Sequence, residues 1–456
     1  MKKLLGLALA AVLLATSLAG CGAGSGTSTS TSTGTGTAAA GSDSPKETVT
    51  LRVWGGVPPE SGPQASCDLF NEKFKDKGIQ VEYERFVNDE TGNLKLETSL
   101  LAGSDVDLYM SYGTAQIKKR ADGNMALDLT ELIKRDNYNI TENFSEMATA
   151  YFVDGKPYSL PTKLDQYGIV LNKDMFDQAG IPVPTDWTFE EFREIAKKLT
   201  KGEGQDKVYG MFWNSQQDLT YPAIYLAAQT LGGDMFYKEG GKETNFDNDV
   251  LKKSYQLVYD MMNVDKSSPT HIDSVTQKLS QEGMFLSGKS AMTVGPWMVR
   301  NIKDRENYPH TFKTAFAPYP VVERDQRKFT QGGYGDHLSI NPKSKNIDAA
   351  WEFAKWYASE GMLPLVSGGR VPAHKNFNID SITKEFVGGY EDLLDADTAK
   401  NILIKPNSNY AVGVITNKLP EITKAFTEEV EAVLSGKKTV DKAFTDCKTR
   451  GNGLLK

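Results

Sequence analysis

A cysteine near the start of the chain carries the clearest covalent chemistry in the sequence. Lys2 and Lys3 form a positive region, an apolar run follows at residues 4–14, and residues 18–21 (Leu-Ala-Gly-Cys) have the form of a lipobox. In such a signal the cysteine thiol receives a diacylglyceryl group and becomes the new N-terminus after cleavage. The sequence therefore predicts a lipoprotein signal peptide over residues 1–20 and lipidation of Cys21, and the two acyl chains would give stable membrane anchoring.

The segment after this cysteine has the composition of a tether. Residues 21–45 comprise the lipidated cysteine and a stretch made almost entirely of Gly, Ser, Thr and Ala. Such a stretch cannot bury apolar surface, so we predict a flexible linker with a root-mean-square span of roughly 25 to 30 Å. We therefore expect a folded body held at the extracytoplasmic face of the cell membrane, in a Gram-positive type of envelope without an outer membrane.

A second chemical pattern has the wrong surroundings. Residues 283–290 (Gly-Met-Phe-Leu-Ser-Gly-Lys-Ser) match the phosphate-loop pattern G-x-x-x-x-G-K-[ST]. A phosphate loop leaves a buried strand and opens a helix, so that backbone N–H groups face the phosphates. Here a helical pattern comes before the motif and a strand pattern after it. We therefore predict a helix-to-strand turn and no nucleotide site.

The remaining cysteines and histidines lack the spacing of a metal or nucleophile site. Cys67 and Cys447 lie near the two ends of the mature chain, and both a disulfide and two unpaired helical thiols remain open. None of the four histidines is paired as in His-Glu-x-x-His, and no Gly-x-Ser-x-Gly occurs. We expect no metal, no cofactor and no catalytic residue. Abundant acidic residues nevertheless keep a secreted glycan-cleaving enzyme open as an alternative.

Composition limits the class of partner. Hydrophobic residues make up 39% of the chain, charged residues 24%, and the formal net charge is −7, with no basic run. These values are typical of a soluble globular body. An acidic body of this kind argues against nucleic acid or an anionic lipid surface as the ligand.

The elements that must position any site alternate between strand and helix. Strand patterns at residues 49–54, 79–86 and 106–110 are separated by helical patterns at residues 64–77 and 94–101. This βαβαβ order predicts a mainly parallel sheet flanked by helices, with ligands beyond the carboxyl ends of the strands. Further along, Thr188 and Glu191 predict a capping box for a helix that ends near residue 199.

Four blocks of sequence resemble a known family. They are residues 167–187 with Asn-Lys-Asp at 172–174, residues 285–297 with Gly-Pro-Trp at the end, residues 341–353, and residues 369–373 (Gly-Arg-Val-Pro-Ala). In order and spacing the blocks resemble family 1 extracellular solute-binding proteins, the receptors of carbohydrate ABC importers that include the maltose-binding type. Leu171 departs from the aromatic residue usual in that family before Asn-Lys-Asp.

The resemblance implies an α/β, two-lobed periplasmic-binding-protein-like fold of type II, with a mainly parallel sheet in each lobe and a hinge between the lobes. The N-terminal lobe would comprise residues 46–163 and about 330–368, and the C-terminal lobe residues 164–329 and about 370–456. A hinged cleft needs an apolar platform, a few hydrogen-bond partners and closure that excludes water, so no catalytic group is required.

Candidate cleft residues follow from the chemistry of sugars, which offer an apolar C–H face and a rim of hydroxyls. Trp297 is the foremost candidate, because it follows a strand through a Gly-Pro turn and matches a sugar-stacking tryptophan of the family. Asp165, at the first crossover, could bind ligand or form a hinge salt bridge, and Arg370 could hold ligand or a scaffold carboxylate. The other candidates are Trp54, Gly55, Tyr112, Thr114, Trp213, Asn214, Gln217, Asp218, Tyr221, Tyr334 and Asp336.

Four other aromatic residues are predicted to pack in the core: Trp187, Trp351, Phe353 and Trp356. The function expected from the whole pattern is capture of a mono- or oligosaccharide and its delivery to the transmembrane subunits of an ABC permease by a lipid-anchored monomer. A neutral sugar is favoured because the candidates contain no cluster of Arg and Lys. A receptor for another solute, such as a peptide, remains an alternative.

Overall fold

Two separate β-sheets organise the computed structural model, which describes residues 48–456 except 104, 217, 239–240, 408 and 414–417. The predicted signal peptide, Cys21 and the linker lie outside the described residues. The strands are β1 Val49–Gly55, β2 Ile79–Arg85, β3 Leu108–Ser111, β4 Leu160–Gln166, β5 Ile169–Asn172, β6 Met292–Val294, β7 Thr314–Ala317, β8 Gly332–Ile340 and β9 Val371–Pro372.

Helices surround both sheets. Thr188 caps one of them, its hydroxyl accepting the N–H of Glu191 while the Glu191 carboxylate accepts the N–H of Thr188, which confirms the predicted capping box. No helix in the described part of the chain has the length and apolar character needed to cross a bilayer. The helices are α1 Pro63–Lys73, α2 Glu90–Ala102, α3 Thr114–Asp122, α4 Thr130–Arg135, α5 Ile140–Asn143, α6 Lys173–Gln178, α7 Phe189–Leu199, α8 Ala228–Leu231, α9 Asp249–Tyr259, α10 His271–Thr276, α11 Gln281–Leu286, α12 Val299–Lys303, α13 Ile347–Tyr357, α14 Leu363–Val366, α15 Ile379–Val387, α16 Ala396–Ala399, α17 Leu419–Leu434 and α18 Val440–Leu454.

The first sheet has six strands in the order β2-β1-β3-β8-β4-β9. β1 runs parallel to β2 and β3, as the βαβαβ pattern predicts, because helices connect these strands. β8 is antiparallel to β3 and β4, and β9 is antiparallel to β4. The parallel expectation is therefore confirmed for β1–β3 and wrong for the other half of this sheet.

The second sheet has three strands in the order β6-β5-β7, and β5 runs antiparallel to both neighbours. A mainly parallel sheet is therefore wrong here too. β5 follows β4 after only two residues, whereas helices α6 to α11 lie between β5 and its neighbour β6, so a helical connection does not by itself make two strands parallel. β6 and β7 run in the same direction because each is antiparallel to β5.

β4 and β8 connect the two sheets. β4 lies in the six-stranded sheet, and the chain enters β5 of the three-stranded sheet directly afterwards. β8 pairs with β4 from Leu160 opposite Leu338 to Gln166 opposite Gly332. Side chains near the end of β4 and the start of β8 therefore lie where one sheet gives way to the other.

Apolar side chains fill a core on each sheet. Trp187, Trp351, Phe353 and Trp356 are all buried, which confirms the core packing predicted for them. Cys67 on α1 and Cys447 on α18 are free buried thiols in different clusters, so the unpaired alternative holds. Burial raises the pKa of each thiol to about 12.

The segment that matches a phosphate loop is a helix-to-strand turn, as predicted. α11 ends at Leu286, Gly288 takes a φ of +73°, and β6 begins at Met292. The Lys289 ammonium donates to the carbonyl of Gln205 at 2.7 Å, and the Ser290 hydroxyl donates to the carbonyl of Met292 at 2.7 Å. The polar groups of this segment thus serve the turn and its neighbours.

Candidate functional site

Trp297 is placed by a glycine turn at the end of β6. Gly295 has a φ of +97°, and a Cβ added there would lie 2.5 Å from the ring of Trp297. Any other residue at position 295 would combine a strained backbone with a clash against this ring. Glycine therefore lets the indole fold back over the turn, partly buried at the edge of the three-stranded sheet.

Tyrosines surround this indole. The ring centroid of Trp297 lies 6.5 Å from that of Tyr167 and 6.4 Å from that of Tyr221. Behind them Tyr225 lies 5.0 Å from Tyr221 and stacks on Tyr319 at 5.1 Å with an interplanar angle of 4°. We call these five residues the aromatic wall. Burial raises the pKa of Tyr167, Tyr225 and Tyr319 well above 10, so the phenols stay neutral and the wall is apolar.

Four charged side chains form the opposite part of the site, where β4 and β8 join the sheets. On β4, the Lys163 ammonium lies 2.5 Å from the carboxylate of Asp165. Asp336 on β8 accepts a hydrogen bond of 3.0 Å from Nε of Arg370, just before β9. We call this group the ionic floor.

The strand register brings the two ion pairs together. Lys163 lies opposite Gly335 and Asp165 opposite Gly333, so both side chains point to the same face of β4. A side chain at Gly335 would clash with the Asp165 carboxylate, so glycine makes room for that group. Asp336 has a φ of +48°, a conformation that Asp tolerates better than most residues do.

The two buried carboxylates respond differently to this environment. Burial raises the pKa of Asp165, and the nearby charge of Asp336 adds to the rise against the opposing effect of Lys163. Burial also acts to raise the pKa of Asp336, but the charges of Lys163 and Arg370 outweigh it and lower the pKa below its usual value. Asp336 is therefore the carboxylate that the floor holds ionised.

A cavity of about 40 Å³ joins the aromatic wall to the ionic floor. This volume is close to that of a single water molecule and far below the roughly 300 to 1,000 Å³ of typical ligand sites. A ligand as large as a sugar therefore needs the two sheets to move apart. The residues around the cavity are Lys163, Leu164, Asp165, Gln166, Trp297, Arg300, Gly368, Gly369, Arg370, Val371, Phe386 and Leu403.

Of the predicted site residues, Asp165, Trp297 and Arg370 line this cavity. Asp336 pairs with Arg370, and Tyr221 belongs to the aromatic wall. Asp165 forms an ion pair with Lys163 of its own strand, and Arg370 pairs with the Asp336 carboxylate. Whether these residues contact a ligand stays a prediction.

The residues predicted at the ends of β1 and β3 pack on one another. Trp54 is buried beside Tyr112, and a Cβ at Gly55 would lie 2.5 Å from the Tyr83 hydroxyl. The Tyr112 hydroxyl accepts the N–H of Gly56. Tyrosine side chains therefore fill the space beside these glycines. Thr114 is the first residue of α3.

The cluster predicted after residue 212 is divided between core and loop. Trp213 is 1% exposed and meets Phe192 edge-on at 5.9 Å, so the structure places it in the core and not in the cleft. Asn214 donates to Gln281 at 3.0 Å, and Asp218 accepts from the N–H and hydroxyl of Thr220, each at 2.7 Å. Gln217 lies outside the described residues.

Tyr334 lies at a different cavity from Trp297. Its hydroxyl donates to the Phe144 carbonyl and lies 3.0 Å from the hydroxyl of Ser145. It lines an apolar cavity of about 260 Å³, which meets the first cavity at Leu164 and Val371. Tyr334 lies opposite Leu164, whereas the flanking Lys163 and Asp165 point to the other face of β4, so Tyr334 lines a different cavity from Trp297 in this structure. Its contact with a ligand stays a prediction.

Several residues of the site were missed by the sequence analysis. Lys163 could have been predicted from the sequence, because it stands two residues before Asp165 on one strand and therefore shares its face. Arg300 could also have been predicted, since it follows Trp297 by three residues at a helical turn. Tyr225 and Tyr319 had no local signal, because only packing brings these two rings together.

Two sheets joined by crossover strands, with an aromatic wall facing an ionic floor, define a two-lobed binding protein of the type II periplasmic class. An ABC substrate-binding protein from Listeria monocytogenes, solved with cycloalternan, has this fold, with a TM-score of 0.72 and 19% identity over 89% of this chain and 99% of that one. Maltose-bound MalE3 of T. maritima gives a TM-score of 0.66 with 21% identity, covering 89% of this chain and 100% of that one.

Sequence comparison leads to the family. A model of the bacterial extracellular solute-binding protein family matches residues 61–363, more than half of the chain, and the chain belongs to that family. The sn-glycerol-3-phosphate-binding periplasmic protein UgpB of Pectobacterium atrosepticum is 24% identical over 89% of this chain and 91% of its own. The maltotriose-binding protein of Pyrococcus abyssi is 22% identical over 58% of this chain and 53% of its own, so the chain spans about half the length of that relative.

Proposed function

We propose that this protein is the receptor of an ABC importer, which captures a mono- or oligosaccharide between its lobes and delivers it to a membrane permease. The observation that carries the proposal is the cavity between Trp297 and the ionic floor. An indole ring matches the apolar face of a sugar, and carboxylate and guanidinium groups match its hydroxyls. This cavity offers both kinds of partner within one enclosed space.

Closure of the lobes would perform the capture. The ionic floor lies on the strands that join the two sheets, so movement there changes the distance between the aromatic wall and the six-stranded sheet. A sugar held between them would exchange water for the indole face and the fixed charges. We assign no catalytic residue, and the lobes comprise residues 46–163 with about 330–368 and residues 164–329 with about 370–456.

The relatives support a sugar or a related polyol as ligand. They include a maltotriose-binding protein, an sn-glycerol-3-phosphate-binding protein and structures solved with maltose or cycloalternan. Each of these ligands carries more than one hydroxyl group. The partners that follow are a carbohydrate and the transmembrane subunits of a permease, and the receptor acts as a monomer.

Calorimetry of the purified mature chain with a panel of mono- and oligosaccharides tests this function. We expect stoichiometric binding of at least one sugar, which is recovered intact afterwards. A panel in which only a peptide or another non-sugar solute binds would overturn the proposal. Catalytic release of a shortened sugar would instead establish a glycan-cleaving enzyme.

Membrane attachment through Cys21 is a separate part of the proposal. The lipobox at residues 18–21 and the Gly/Ser/Thr linker support it. We expect Cys21→Ala to leave sugar binding intact and to release the protein from the membrane fraction into the medium. Retention of the Cys21→Ala protein on the membrane would contradict the anchor and leave the receptor function untouched.

A further inference from the structure

Arg300 is the cationic side chain of the cavity that has no charged partner. It is the second residue of α12 and lines the cavity together with Trp297 and Arg370. Lys163 and Arg370 are both in ion pairs, with Asp165 and Asp336. Among the residues that the structure describes, the Arg300 guanidinium has neither an ion pair nor a hydrogen bond. Its five donors are therefore available to a ligand.

The surroundings of Arg300 are positive. Arg300 is an exposed residue that also lines the cavity, and partial desolvation together with the charges of Arg370 and Arg85 lowers its pKa, while Glu282 opposes them. Arg85 ends β2 and, within the described chain, has no ion pair either. With each pair of the ionic floor neutral, two arginines face one glutamate. This local excess stands out in a chain whose net charge is −7.

The expectation of a neutral ligand was based on the lack of clustered Arg and Lys residues among the sites predicted from the sequence. The structure adds Lys163 and Arg300 to Arg370 around one cavity, so that reason no longer holds. Arg370 uses Nε for Asp336 and keeps its two terminal amino groups without a partner among the described residues. Two guanidinium groups can therefore approach one ligand.

We infer that the sugar captured by this protein carries an anionic group, a carboxylate or a phosphate, that Arg300 binds while the sugar ring stacks on Trp297. The inference rests on the proposed function and specifies its substrate class. A residue three positions after Trp297 lies on the same side of a helical turn, so ring and substituent can be held together. A planar guanidinium matches carboxylate and phosphate oxygens with two parallel hydrogen bonds.

The charge distribution also gives the site selectivity. An acidic protein repels anions over most of its surface, and a positive cleft then concentrates them at one place. Salt screens such attraction over about 10 Å at 0.1 M ionic strength. Binding of an acidic sugar should therefore weaken with added salt, and binding of its neutral counterpart should not.

Matched sugars that differ only in charge provide the test on the mature chain. Glucose is compared with glucuronate and glucose 6-phosphate, and cellobiose with cellobiouronate, by calorimetry at two salt concentrations. We expect at least one acidic sugar to bind on the order of ten-fold or more tightly than its neutral counterpart. The carboxylate and phosphate arms then distinguish a uronic acid from a sugar phosphate.

Variants locate the contact. Arg300→Gln should remove the preference, so that the acidic sugar and its neutral counterpart bind with similar affinity, and Arg300→Lys should keep part of it. Arg305→Gln is the matched control, because Arg305 lies two residues beyond α12 and pairs with exposed Asp392 at 2.8 Å. Its affinity for both sugars should equal that of the unmodified protein.

Three results would overturn the inference. Tighter binding of neutral sugars than of acidic ones rejects the anionic group and leaves the receptor function in place. An acidic preference that survives Arg300→Gln rejects Arg300 as its cause. If only a non-sugar solute binds, the proposed function fails, and the inference fails with it.

Discussion

The aromatic wall and the ionic floor face one cavity but are built on different physical principles. Rings that contact one another hold the wall, from loops and helices that are distant in sequence. The floor is made of alternate residues of β4, one residue of β8 and Arg370 just before β9, and it is held by charge. The wall therefore supplies contact area that is insensitive to pH, whereas the floor depends on which groups are ionised.

Because of this difference, we expect the wall to act mainly on ligand affinity and the floor mainly on the stability of the hinge. The floor lies on β4 and β8, which join the two sheets, so its ion pairs also belong to the framework about which the lobes move. Trp297 is only partly buried and sits at the edge of the framework. Damage to the floor should therefore lower the stability of the fold, and damage to the wall should lower affinity.

The largest effect is expected from breaking the buried pair of the floor. Arg370→Met leaves Asp336 ionised and unpaired among buried groups, which should cost about 3 to 5 kcal/mol of unfolding free energy. Chemical denaturation measures the loss. Arg305→Met, which breaks an exposed pair, should cost less than about 1 kcal/mol. Equal losses in the two variants would show that the floor does not stabilise the hinge.

A pH titration of stability tests the charge dependence of the same region. His337 on β8 is fully buried between Tyr151 and the Tyr334 carbonyl, and burial lowers its pKa to about 4. The unfolded chain binds a proton near pH 6.5, so stability should fall as the pH drops from about 6.5 to 4. The shift corresponds to about 3 kcal/mol.

His337→Gln isolates this contribution, because every other titrating group is kept. The difference in unfolding free energy between the two proteins should change over that pH window and stay constant above it. A difference that is independent of pH would mean that the pKa of His337 is the same in the folded and the unfolded protein.

Removal of the Trp297 indole should lower the affinity for the sugar. Trp297→Ala removes the exposed face of the wall and should weaken sugar binding by about 2 kcal/mol or more in calorimetry. Trp187→Phe is the control for a tryptophan outside the site, because Trp187 is buried in the core and its indole N–H donates to the Pro318 carbonyl at 2.7 Å. It should lower stability and keep the affinity. Unchanged affinity in Trp297→Ala would remove this indole from the site.

The smallest effect should come from the turn that positions the indole. Gly295→Ala adds about 1 to 2 kcal/mol of backbone strain and pushes against the Trp297 ring. We expect a change in tryptophan fluorescence and weaker sugar binding. Gly436→Ala also has a positive φ, at +73°, but nothing lies within 4 Å of the added Cβ. If both variants bind sugar equally well, the contact between Gly295 and Trp297 does not matter for the site.

Prediction from sequence was accurate where the signal is local. The capping box at Thr188, the parallel strands β1–β3 and the helix-to-strand turn at residues 283–290 each depend on neighbours along the chain. The mainly parallel sheet predicted for the second lobe was wrong, because strand direction depends on which strands come to lie beside β5 and not on the residues of β5 itself. Contacts such as that between Tyr225 and Tyr319 had no signal for the same reason.

The sequence by itself determined the family, the alternation of elements in the first sheet and a tryptophan after a Gly-Pro turn as the foremost candidate. Only the tertiary structure decided which tryptophans belong to the core. Trp213 and Trp297 both follow strand-like residues, but Phe192 covers Trp213, whereas Gly295 leaves Trp297 at the cavity. Burial depends on what other segments place against a side chain, and a local pattern of residues does not contain that information.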